Sequence, residues 1–263
     1  IYTLSLHDAL PICVSPPAKA DSAGKRLLLA FALAVLLLFC ALPLAAVLVQ
    51  AAQAGGSWQV LWEEETRLAA WNTLRFTATA VAAALALGIS HAALARRLPW
   101  IRGITFLPFM VSPVCVAFGI LLLYPEWTAS LPLLTATYAL LAYPFVTKDL
   151  LAAWDALPPQ YAAAARSMGA NRFQTACYVT APLLLPAMRR GLTLAAATCI
   201  GEFAATLFLS RPEWLTLTTL IYQYLGTAGA ENHDRAMVLT ATLMMLAAAV
   251  FVLLDAAERE KAV

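Results

Sequence analysis

The sequence predicts an all-α, polytopic membrane protein with about six transmembrane helices and one cytoplasmic helix between the fourth and fifth. Three observations carry that prediction. The first is composition: 62% of the 263 residues are hydrophobic, 12% are charged, and the mean hydropathy is +0.76. Soluble domains run at about 45–50% apolar and about 25% charged. The second is a series of apolar runs near the length needed to cross a bilayer, about 20 residues of helix. The third is the placement of the basic residues. With the N-terminus inside, 13 of the 17 fall on the cytoplasmic side and 4 on the external side, and the opposite orientation inverts that ratio.

The runs follow in order. Residues 1–24 carry Pro11, Pro16, Pro17 and Gly24 and no helical period. They lack the basic stretch, apolar core and cleavage site of a signal peptide. IYTLSLHDALPI resembles translated sequencing-adapter read-through, so residues 1–12 are expected to be foreign and the true N-terminus missing. Residues 25–70 hold a leading span, Leu27 to Val49, with Lys25-Arg26 before it and Pro43 as a candidate kink. A polar external stretch with Gly55-Gly56 and Glu63-Glu64-Glu65 follows. Residues 71–255 read as one transmembrane domain. Its spans are Asn72 to Ala95, Gly103 to Tyr124 with Pro108 and Pro113 inside, Thr128 to Thr147, Gly191 to Leu209, and Ala236 to Leu254. A short cytoplasmic tail, 256–263, closes the chain. Trp58, Trp62, Trp71, Trp100 and Trp127 fall near span edges, where amphipathic rings favour the interface.

Several classes of function are excluded by what these residues lack. A net charge of +2 gives no footprint for nucleic acid. His7, His91 and His233 have no metal-ligand spacing. Cys13, Cys40, Cys115, Cys177 and Cys199 form no C-x-x-C pair and read as small buried hydrophobes. No G-x-S-x-G elbow and no paired carboxylates mark an enzyme. There is no G-x4-G-K-[ST] loop either, so this chain does not itself hold ATP.

Asp155 to Pro182 is a polar island between apolar runs. Pro158-Pro159 suits the start of a helix, where missing N–H groups cost nothing. Gln160 to Met168 is alanine-rich, and Gly169 supplies a left-handed cap. Asn171 is placed to cap a second helix running to about Val179, which Pro182 is expected to terminate. The face at Ala162 to Ala165 has little side-chain bulk, which lets a partner's groove approach the backbone. A helix lying on the membrane surface is the competing reading, and alanine is a poor anchor for it.

The island resembles the cytoplasmic loop of binding-protein-dependent ABC importer permeases, E-A-A-x3-G-x9-I-x-L-P. The matching positions are Ala163-Ala164-Ala165, Gly169, Val179 and Ala181-Pro182, with Ala163 in place of the usual glutamate. Asn72-Thr73-Leu74, Leu87-Gly88 and Arg96-Arg97 resemble the opening of the same permease domain. The resemblance implies a multi-pass subunit of the bacterial inner membrane with both termini cytoplasmic. Ala163, Ala164, Ala165, Gly169, Val179 and Pro182 would then form the coupling element for ABC ATPase subunits. It also implies a second permease half, fused or separate, and an extracytoplasmic solute-binding protein as partners, with no cofactor in this chain. The wording around Glu202 and from Arg211 to Tyr224 resembles the thiamine and iron(III) branch, in parts of which two halves are fused, so the chain is expected to be a complete subunit or a C-terminal half.

Glu202 is the one acidic residue deep in a run, and such groups usually face a bundle interior or a water-filled cavity. Thr198, Glu202 and Thr206 recur every four residues and are expected on one helical face. They either line the translocation path or hold neighbouring helices together. An ion-gradient-driven transporter or channel half using Glu202 as a proton site is the alternative function. Leu217, Leu220, Ile221 and Tyr224 form the apolar side of a helix expected to cap the bundle at the interface, the competing reading being a gate at the outer mouth or a contact for an extracytoplasmic binding protein.

Overall fold

The computed structural model describes residues 23–128 and 130–259, so the expected foreign segment lies outside the described residues. Among the described residues most are helical and none lies in a strand. They divide into two units, 1–46 and 47–263. In the first, residues 23–46 form the leading stretch of α1 (Ala23–Gln53), with Leu27, Phe31 and Phe39 exposed. Pro43 lies within α1 and does not end it.

The second unit begins with the last turns of α1 and a 3-10 segment, Gly55–Trp62, before α2 (Glu64–Arg97). This helix starts well ahead of the expected Asn72. Glu64 and Glu65 occupy its first turn, where negative charge offsets the positive end of the helix dipole. An acidic run that reads as loop is thus a helix start.

The expected straight span from Gly103 to Tyr124 is broken. It consists of α3 (Ile101–Ile104), α4 (Leu107–Met110) and α5 (Pro113–Leu123), and the two arms meet at 100°. Ser112 is extended (ψ 135°) because the Pro113 ring excludes its predecessor from helical geometry, and Val111 before it is extended too (ψ 134°). Next comes α6 (Leu131–Ala156), whose Ser130 cap accepts a bond from the Leu133 N–H.

Beyond it lie α7 (Pro159–Ser167), α8 (Arg172–Thr175), a π-helical stretch Ala176–Thr180, and α9 (Ala181–Ile200). Pro182 does not terminate the second island helix as expected, since Arg172–Ile200 runs on as one helix. A proline ring clashes with the carbonyl four residues back, and the wide π turns just before Pro182 relieve that crowding. The chain finishes with α10 (Ala204–Leu209), α11 (Leu217–Gly226) and α12 (Ala230–Arg259).

The core centres on α6, which packs against α2 and α9 through Leu134, Tyr138, Val146 and Leu150. Gly88 and Gly191 make this approach possible. A Cβ on Gly191 would sit 2.8 Å from the Val146 Cα and one on Gly88 2.8 Å from the Val146 Cβ. Backbones this close are built on small residues, as in membrane helix packing generally. A second cluster joins Val60, Ala69, Leu217, Leu220, Val238 and Leu239, so α11 does lay its apolar side on the bundle. Four helices (24–53, 64–97, 172–200 and 230–254) are long and apolar enough to cross a membrane, or five if the bent pair counts as one span. At 26 residues α6 has the length but is not among these four, and it is the helix against which α2 and α9 pack. Of the described cysteines only Cys199 is buried, whereas Cys40, Cys115 and Cys177 are exposed rather than packed inside as expected.

Candidate functional site

Polar chemistry concentrates in two places along α6. Tyr138 in its first half meets the Glu202 region, and Trp154 near its end meets the island. Sixteen residues of helix separate them, about 24 Å at 1.5 Å per residue.

At the island, Pro158 precedes α7 and Pro159 opens it. Gly169 adopts φ +88°, the left-handed region that a side chain disfavours. Around it the Gly169 N–H donates to the Arg166 carbonyl at 3.0 Å and the Ala170 N–H to the Ala165 carbonyl at 3.1 Å. That bond pair is the Schellman termination. Asn171 then closes a capping box: its side chain accepts from the Gln174 N–H at 2.8 Å, and the Gln174 side chain accepts from the Asn171 N–H at 2.9 Å. Both helix ends are satisfied locally, so the corner keeps its shape without outside partners.

Of the expected coupling residues, Ala163, Ala164 and Gly169 are exposed, Ala165 is buried, Val179 is half-buried, and exposed Pro182 has moved onto the start of α9. Larger side chains that the motif does not include dominate the surface. Met168, Phe173 and Tyr178 are 82%, 75% and 79% exposed, and Tyr161 46%. A cleft of about 330 Å³ runs beside α7, between Trp154 and the arginines Arg96, Arg166 and Arg172. Outside the cleft, the exposed Arg102 guanidinium forks onto Asp155 at 2.7 and 3.0 Å.

At the other place, the helix expected from Gly191 to Leu209 breaks at Gly201-Glu202-Phe203. Thr198, Glu202 and Thr206 therefore do not share a continuous helical face. Thr198 bonds within α9, to the Leu194 carbonyl. The Glu202 carboxylate accepts from the Ala205 N–H at 3.1 Å and so caps α10. The Glu202 carbonyl, freed by the break, accepts from the Tyr138 hydroxyl at 3.3 Å and the Thr218 hydroxyl at 3.0 Å. Thr206 stays close by, with the Thr216 hydroxyl donating to its own at 3.4 Å. Buried polar groups need such partners.

Tyr138, Thr216 and Thr218 were not singled out by the sequence. Tyr138 carries no local signal, being 64 residues from its partner. The T-L-T-T run at 216 to 219 does carry one, since Thr216 and Thr219 form a capping box ahead of α11. Asn72 and Thr73 also gain a structural account. Asn72 donates to the carbonyls of Glu213 and Leu215, and Thr73 accepts from the Leu217 N–H, which ties the loop before α11 to α2.

A broken-helix bundle with apolar exteriors and one exposed, locally capped corner defines an all-helical polytopic membrane protein. The family described as "Binding-protein-dependent transport system inner membrane component" matches residues 84–256, and the chain belongs to it. It is 27% identical over 255 residues to the sulfate transport system permease protein CysT of Escherichia coli, covering 85% of this chain and 90% of that one. It is 32% identical over 206 residues to a probable molybdenum ABC transporter permease of Haloferax volcanii, covering 71% and 74%. A putative 2-aminoethylphosphonate permease, PhnV of Salmonella typhimurium, matches at 26% over 56% of this chain and 57% of its own length. Among solved structures, a chain of a bacterial alginate ABC transporter, in complex with alginate pentasaccharide-bound periplasmic protein, superposes with TM-score 0.70 at 20% identity, covering 90% and 96%. A chain of the inward-facing MetNI methionine ABC transporter gives 0.61 at 19% identity, covering 72% and 93%. These two likenesses are of fold.

Proposed function

We propose that the chain is the transmembrane permease subunit of an ATP-driven importer, forming half of a translocation pathway with a second permease half. The observation that carries this reading is the locally capped, exposed corner around Gly169 in a chain of this family. A rigid element there suits transmission of a partner's movement to the helices behind it. In this reading α6 completes a six-span topology, the island and both termini are cytoplasmic, and separate ABC ATPase subunits dock on the island. An extracytoplasmic binding protein delivers the solute at the opposite side.

For the cargo, the names of the relatives favour a small oxyanion of the sulfate, molybdate or phosphonate kind over the thiamine or iron(III) class suggested by the wording near Glu202. The ion-gradient alternative gives the island no task, and it needs a carboxylate that the fold already uses as a helix cap. The test is uptake by proteoliposomes containing the permease with its ATPase and binding protein. ATP-dependent, protonophore-resistant uptake of labelled sulfate or molybdate supports the proposal. Uptake that needs no ATPase chain and collapses with a protonophore refutes it, and uptake of thiamine or iron(III) alone reverses the choice of cargo.

A further inference from the structure

The cleft beside α7 has a one-sided chemistry. Its three charged lining residues, Arg96, Arg166 and Arg172, are all cationic, and no carboxylate lines it. Between Asp155 and Glu202 the sequence contains no aspartate or glutamate at all, and Asp155 is already bound by Arg102. None of the three arginines forms an ion pair among the described residues. Arg96 lies over the Trp154 ring at 4.5 Å. Arg166 spends one N–H on the Ala162 carbonyl, which leaves the outer edge of its guanidinium unused. The position where the family pattern carries a glutamate is Ala163. Like charges gathered with no counter-charge repel one another unless an anion joins them.

We infer that this cleft receives an acidic side chain of the ATPase subunit, so that the polar anchor of the docking contact is supplied by the partner instead of by this chain. The inference rests on the proposed docking role of the island. A protein carboxylate fits better than a lipid headgroup because exposed Tyr161, Met168 and Phe173 flank the corner. Aromatic and methionine side chains around an arginine are the composition of protein–protein contacts. Arginine also offers a planar fork of donors matched to a carboxylate.

The test places the full-length permease in phosphatidylcholine nanodiscs and titrates it with the ABC ATPase subunit that supports its transport. Binding by the unaltered chain is expected to weaken steeply between low and high salt, because the interacting charges become screened. Arg166→Glu combined with Arg172→Glu is expected to weaken binding about tenfold at low salt, with the difference shrinking at high salt. Phe173→Ala is expected to weaken it without that salt dependence. Changing an acidic residue of the ATPase, located by cross-linking to position 172, to arginine is expected to restore binding to the double variant.

Wild-type binding that is insensitive to salt, or a double variant that binds as the wild type does, overturns the inference while leaving the docking role intact. Failure of the wild-type chain to bind any ATPase overturns the docking role itself. If phosphatidylglycerol nanodiscs compete with the ATPase and the competition vanishes in the double variant, the cleft is a lipid-headgroup site and the inference is wrong. The salt titration of the unaltered chain decides the matter even if the variants misfold.

Discussion

The Glu202 break and the Gly169 corner solve the same problem, how to end one helix and start another, by opposite means. At Gly169 the solution is local: a left-handed glycine, two backbone bonds and a capping box, all within residues 164 to 174. At Glu202 it is distributed. One acceptor serves α10, and the freed carbonyl takes donors from α6 and α11. A corner that holds itself leaves its surface available to a partner. A break held by three elements spends its carbonyl and a carboxylate oxygen on its neighbours and so joins those elements together.

The largest effect expected from breaking this contrast is at Glu202. Glu202→Ala strands the Ala205 N–H in a buried site and is expected to cost about 2 kcal/mol, seen as a lower unfolding midpoint in detergent. Glu202→Gln keeps a side-chain oxygen for that N–H and is expected to cost less than half as much, with transport retained. If Gln proves as damaging as Ala, it is the charge that matters, and a role in the translocation path regains the advantage.

At the corner, Gly169→Val forces a β-branched side chain into φ +88° and is expected to cost about 1–2 kcal/mol. Because the corner is exposed and held only by itself, ATP-driven uptake is expected to fall further than stability does. Equal losses would mean that the corner is no more than a turn. Asn171→Ala removes half of the capping box and is expected to cost about 1 kcal/mol, whereas Asn171→Asp keeps the acceptor and most of the stability. Chemical denaturation of the three proteins ranks them.

The same contrast explains what could be read from the sequence. The all-helical membrane class was legible because apolar runs and basic segregation are properties of composition. The corner was legible because Pro158, Gly169 and Asn171 act on neighbours within a few residues. The break at Gly201 was not, since Ile200-Gly201-Glu202 sits in an unbroken apolar run and the groups that fix it, Tyr138 and Thr218, come from elsewhere in the chain. The bend at Ser112 lay between, because Pro113 marks a fault but not its 100° angle. Pro182 misled in the other direction, as π turns carry the helix past it.

The smallest stability effect belongs to Arg102 and Asp155, and it separates holding a corner together from aiming it. The pair joins residues 53 apart by a two-pronged bond, linking α3 to the end of α6 where the island begins. Both side chains are more than 40% exposed, and exposed ion pairs contribute little because water and salt screen them. Arg102→Ala is therefore expected to leave the unfolding midpoint unchanged within error. The residues it links still set where α6 ends and thus where α7 begins. A fork of this geometry fixes direction as well as distance. At low salt, coupling of ATP hydrolysis to uptake is expected to drop severalfold in Arg102→Ala relative to the wild type, with ATPase binding itself retained. An unchanged coupling ratio would show that the corner needs no aiming beyond its own caps.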